Sequence, residues 1–242
     1  MNNYIVLNGV SSRSKKGLLI STLPPITKPL MRSSIEEIDG RDGDIVTKLG
    51  YSAYNRLVTI GLFGDYNLDD IMTFFDSEGI AIFSNEPDRY YKYQIIQQID
   101  YEKLLRFKTA KVMFHVQPFK YSAVEETFEY IKTEENPRSF TLYNRGNTIS
   151  KPVITLWGMH GATISINGLE VLTVQLDGVD PDYITIDAEN MDAYKGNTLK
   201  NRSVIGDYDK VVFQPGINTF SWSSSFLEDF TKVEIKNYSR WL

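Results

Sequence analysis

Residues 107–121, FKTAKVMFHVQPFKY, decide the fold class. Val112, Phe114 and Val116 alternate with Met113 and His115, so an extended chain has one apolar and one polar face. An amphipathic helix would space its apolar residues three and four apart. The reading predicts strands over 107–116 and 119–130, interrupted at Pro118, which has no N–H for a ladder. Fifteen Tyr and thirteen Phe, set among β-branched residues, spread the same vocabulary along the chain. Strands are predicted at 4–7, 17–23, 31–38, 51–62, 80–83 and 90–99, with Asn8-Gly9 and Pro24-Pro25 as stops. Between two of these runs lies a charged, glycine-flanked loop, Gly40-Arg41-Asp42-Gly43-Asp44.

One helix stands out, over 68–75. Asn67 can accept from free amides of the first turn, and Asp69 and Asp70 complement the helix dipole there. Leu68, Ile71, Met72 and Phe75 define one apolar face. Gly79 suits the stop.

The polar run 132–137 ends in proline and is read as the boundary between a domain over 1–133 and one over 134–242. Beyond it short strands recur at 139–143, 151–157, 162–166, 170–176, 183–187, 210–213, 218–222 and 232–238. Asn167-Gly168, Asp177-Gly178 and Pro215-Gly216 punctuate them, a spacing that suggests a β-sandwich. The fold class is therefore all-β with one helix.

Chemistry is scarce. No cysteine occurs, which excludes disulfides and thiolate catalysis, and two histidines, His115 and His160, are too few for an imidazole metal site. A net charge of −5 without a basic cluster argues against nucleic-acid binding. No apolar run approaches the roughly 18 residues of a membrane span. The N-terminal segment does not read as a signal peptide, because its basic residues follow the apolar ones. Nucleophile-elbow, phosphate-loop, dinucleotide and zincin motifs are missing. The carboxylates from Asp177 to Asp187 do not have EF-hand spacing and read as turn residues. Paired acids such as Glu36-Glu37 and Glu125-Glu126 point to opposite faces of a strand and cannot act together. No catalytic residue, metal site or cofactor is expected. Trp157 and Trp222 could stack on a sugar, or both could be core residues of the second domain.

Several segments together resemble the distal tail protein family of long, non-contractile-tailed phages. They are Val6-Leu7-Asn8-Gly9 with Gly17-Leu18, Gly40-Arg41-Asp42-Gly43, the helix at 68–75, and Ile82 to Tyr91 with its Glu86-Pro87 and tyrosine pair. Phe114 to Tyr121 follows, then Asn144-Arg145-Gly146-Asn147, Ser150-Lys151-Pro152, Ile166-Asn167-Gly168, Tyr183 to Asp187 and Pro215 to Asn218. The resemblance spans nearly the whole chain, in order. It implies an N-terminal β-sandwich with one helix and an extended hairpin, which builds a hexameric ring. It also implies a C-terminal galectin-like β-sandwich, similar to carbohydrate-binding modules. The implied partners are further copies of the chain, the tail tube protein, the tail-associated fibre or tip protein, and receptor-binding or baseplate proteins, with no nucleic acid and no membrane. The implied place is the tail tip of the virion, after assembly in the host cytoplasm. On this reading Gly40, Arg41, Asp42, Gly43 and Asp44 are candidate self-association residues. The alternative is a carbohydrate-binding module that forms no ring, with Trp157 or Trp222 as its platform.

Overall fold

The computed structural model describes residues 3–133, 138–176, 182–226 and 229–242. The carboxylates Asp177 and Asp180, and Glu228, lie outside them. The chain divides into two compact units, one of Met1–Ala123 with Leu242 and one of Val124–Trp241.

In the first unit the strands are β1 (Ile5–Leu7), β2 (Val10–Ser11), β3 (Leu18–Thr22), β4 (Met31–Glu37), β5 (Asp44–Tyr51), β6 (Tyr54–Leu62), β7 (Glu78–Phe83), β8 (Arg89–Gln94) and β9 (Thr109–Ser122). Seven of them form a curled antiparallel sheet in the order β2-β1-β7-β8-β9-β6-β3. Although β1 and β3 lie near opposite ends of that order, Ile5, Leu7, Leu18 and Ile20 enter one core, with Val58, Ile60, Val112 and Phe114 between them. The remaining two, β4 and β5, pair only with each other.

Helix α1 (Leu68–Phe75) is capped as expected, with Asn67 Oδ1 accepting from the Asp70 amide at 3.3 Å. Its buried face is Ile71, Phe74 and Phe75, a step round from the expected stripe, and Met72 is exposed. The helix ends on Asp76, not at Gly79. Gly79 instead lies in β7 at φ +134°, where an added Cβ would collide with the Asn8 side chain. That side chain donates to the Glu78 carbonyl at 2.8 Å and accepts from the Ile80 amide at 2.9 Å, extending the ladder across the turn.

Three further expectations need correction. A second helix, α2 (Tyr101–Phe107), precedes β9, capped by Asp100, which accepts from the Lys103 amide at 2.8 Å. Strand β9 runs through Pro118, and the register shift between Tyr91 and Tyr93 of β8 accommodates the disruption. The single strand expected over 119–130 is two: β9 ends at Ser122, and β10 (Glu126–Ile131) pairs with a strand of the second unit. The residues just before the expected 133/134 boundary thus belong to the second sheet system.

The second unit continues with β11 (Ser139–Asn144), β12 (Val153–Gly158), β13 (Ala162–Ile166), β14 (Leu169–Val174), β15 (Asp182–Asp187), β16 (Asp192–Lys195), β17 (Thr198–Leu199), β18 (Val204–Gly206), β19 (Gly216–Ser223) and β20 (Phe230–Asn237). They make two antiparallel sheets, β10-β20-β12-β15-β16-β17 and β11-β19-β13-β14-β18. Ile154, Leu156, Val233 and Ile235 from the first meet Ile164, Ile166, Phe220 and Trp222 from the second in one core, the sandwich the turn spacing predicts.

Candidate assembly surface

The hairpin β4–β5 carries the loop picked out in the sequence. Ile38 to Gly43 join the strands, the Arg41 amide bonds to the Ile38 carbonyl at 3.1 Å, and Gly40 (φ +80°) and Gly43 (φ +78°) supply the left-handed positions of the turn. The register places Ile35 opposite Val46, so the two share a face, with Ser33 opposite Lys48 beside them. None of the residues of β4 or β5 is buried. Ile35, Val46 and Leu49 are 60%, 54% and 57% exposed. Residues 36–44 hold Glu36, Glu37, Asp39, Asp42 and Asp44 against the single cation Arg41, so the distal end is acidic. Lys28, Arg32 and Lys48 make the proximal end basic.

The base of the hairpin is fixed. Tyr51 meets Phe119 edge to face at 5.8 Å, and the Ser52 amide bonds to the Leu30 carbonyl at 2.9 Å. The segment entering β4 is tied to a buried ionic cluster. Asn85 donates to the Pro24 carbonyl at 3.0 Å, and Arg56 reaches the Pro25 carbonyl at 3.5 Å. The Arg56 guanidinium lies over the Tyr91 and Phe83 rings, 4.2 and 4.8 Å from their centroids. Glu86 accepts from Lys120 at 2.8 Å, Tyr91 at 2.5 Å and Arg56 at 3.4 Å. Burial alone would raise the Glu86 carboxyl, but hydrogen bonds from Lys120 and Tyr91 and the charges of Lys120 and Arg56 outweigh it and hold it below the ordinary glutamate value. Burial, reinforced by the bond to Glu86, raises the Tyr91 phenol. Arg56, Glu86 and Lys120 are scattered in sequence; Glu86 and Lys120 fall in stretches that carry the family resemblance, but nothing local signals that the three side chains meet.

The two tryptophans do not form one platform. Trp222 is 4% exposed in the core of the second unit, against Tyr130 and Phe230, and cannot offer a ring face to a sugar. Trp157 lies on the outer face of its sheet, stacked on Tyr183 at 6.3 Å, with the Lys232 ammonium 4.7 Å from its ring centre. His115 bonds to Asn55, its cross-strand neighbour, at 3.0 Å, and His160 stacks on Phe226 at 4.5 Å. Among the described residues no three His, Cys, Asp or Glu side chains gather to hold a metal ion, and no helix is long and apolar enough to cross a membrane.

Seen whole, the chain has the fold of a phage distal tail protein. It matches the crystal structure of SPP1 Dit with a TM-score of 0.67 at 16% identity, over 100% of both chains. SPP1 Dit is described as a paradigm of the hub adsorption apparatus in phages that infect Gram-positive bacteria. A chain of the activated phage p2 baseplate, solved with Sr, matches with a TM-score of 0.52 at 13% identity, over 98% of this chain and 97% of that one. No protein-family model and no curated protein sequence matches the chain.

Proposed function

We propose that the protein is a distal hub of a siphophage tail: a structural virion component whose first unit closes a hexameric ring between the tail tube and the tail tip. The observation that carries this is the hairpin β4–β5, a pair of long strands with no buried residue, in a chain that shares its whole fold with SPP1 Dit. An isolated two-stranded hairpin is marginal in water. A clamped base and uncovered Ile35, Val46 and Leu49 suit an arm completed by a neighbouring subunit. A closed ring needs two different complementary patches on each subunit, and the Gly40–Asp44 tip belongs to one of them. The second unit offers two sheet faces to baseplate, fibre or receptor-binding proteins. The role is mechanical and uses no catalytic group or cofactor, and its place is the virion tail after assembly in the host cytoplasm.

Light scattering with negative-stain imaging tests this. Annular particles with the mass of a hexamer are expected. A monomer at every concentration, alone and with the tail tube and tip proteins, overturns the reading. The stacked Trp157 and Tyr183 favour one alternative, glycan binding on the outer face of the six-stranded sheet. Glycan binding that Trp157→Ala abolishes, in a protein that stays monomeric, would replace the ring reading.

A further inference from the structure

A second exposed surface of the first unit complements the hairpin. It lies where the end of α2 meets the chain leaving β6. Phe63 and Phe107 are 62% and 64% exposed, and Tyr66 and Leu105 are each 37% exposed. Lys108 links them: its carbonyl accepts from the Leu62 amide at 3.1 Å, and its ammonium lies 4.8 Å from the centre of the Tyr66 ring. Arg106 lies 5.8 Å from the centre of the Phe107 ring. Two carboxylates sit at the edge, Asp65 and Glu102, each already near a cation, Lys16 at 3.4 Å and Arg106 at 3.8 Å. Lys103 and Lys108 have no carboxylate partner among the described residues. The surface is therefore aromatic at its centre and basic at its rim.

We infer that this Phe63–Phe107 surface receives the hairpin of a second copy of the chain. The inference rests on the ring reading and names the other half of its contact. The hairpin brings Ile35, Val46 and Leu49, with Glu36, Glu37 and Asp44 around its distal end. The receiving surface brings exposed rings with Arg106 and Lys108 around them. Apolar area meets apolar area, and an acidic rim meets a basic one, the arrangement that fixes register and suppresses wrong pairings. Both surfaces stand exposed on one chain, so the contact runs between copies. Because it joins two different patches, it propagates from subunit to subunit and closes when the rotation allows. Large aromatic side chains at 62% and 64% exposure also find a reason here, since such residues concentrate at the buried centres of interfaces.

Two charge-reversed full-length proteins test the pairing, Glu36→Lys with Glu37→Lys and Arg106→Glu with Lys108→Glu. All four positions are exposed, so each protein should keep the wild-type subunit fold, read by circular dichroism and by melting at a dilution where the wild-type chain is itself unassembled. Each alone should lose the assembled species in light scattering, because like charges then face each other at every contact. An equal mixture should recover it as an alternating ring: reversed hairpin meets reversed surface, and native hairpin meets native surface. If either variant alone keeps the wild-type assembled mass, the receiving surface is wrong while the ring reading stands. If both lose assembly and the mixture does not recover it, the pairing is likewise overturned. If the wild-type chain never assembles, even with tail tube and tip proteins, the ring reading falls first and this inference with it.

Discussion

The pair β6–β9 and the pair β4–β5 are both long antiparallel ladders in one unit, yet they are stabilised differently. In β6–β9, Val58 faces Val112 and Ile60 faces Ala110, and all four are buried. In β4–β5, Ile35 faces Val46 with both mostly in water. Burying a side chain of this size contributes roughly 1.5–3 kcal/mol, so the first ladder is secured by its own core and the second has no comparable support. The hairpin nevertheless keeps residues suited to a buried sheet face. Intramolecular folding does not account for them; the association proposed above would.

Substitutions in the two ladders should have very different effects on stability. The largest effect is expected in the body: Phe114→Ala should cost about 3–5 kcal/mol in denaturant unfolding, because Phe114 is fully buried and packs on Phe83 and Tyr93. Next comes the ionic cluster beneath the arm. Glu86→Gln should cost about 3 kcal/mol, since Arg56 and Lys120 would stay buried without their counter-charge. The wild-type cluster also has a pH signature. The Glu86 pKa is lower in the folded state than in the unfolded one, so its contribution is complete above the ordinary glutamate value of 4.5 and is lost as pH falls below it. Unfolding measured from pH 7 to pH 3 should show that acid limb shrink in Glu86→Gln. The smallest effect on stability is expected in the hairpin. Val46→Ser should change it by less than about 0.5 kcal/mol while weakening assembly. A loss of stability as large as that of Phe114→Ala would mean that the chain itself covers the arm.

Much of the local structure was legible in the sequence. The strand alternation around Phe114, the Asn67 cap and the glycine-flanked Gly40–Asp44 turn are local signals, and each is found where expected. What escaped was settled by longer-range contacts. Helix α2 has only seven residues, and its Asp100 cap is easily lost beside the apolar runs around it. Strands β9 and β10 read as one because only pairing partners, β8 and β6 against β20, assign them to different units. Trp157 and Trp222 have similar apolar neighbours in sequence. Only sheet packing sends Trp222 inward and leaves Trp157 on an outer face. Exposure of Ile35, Phe63 and Phe107 is likewise invisible to a pattern that scores apolar residues as core.

Amide hydrogen exchange, compared between dilute chain and assembled particles, tests whether a neighbouring subunit completes the hairpin. The hairpin amides over 31–51 should exchange rapidly in dilute protein and gain protection on assembly, while those of β6 and β9 are protected in both. Hairpin amides that are equally protected in dilute protein, or that gain nothing in the assembled particle, would contradict an arm completed by its neighbour.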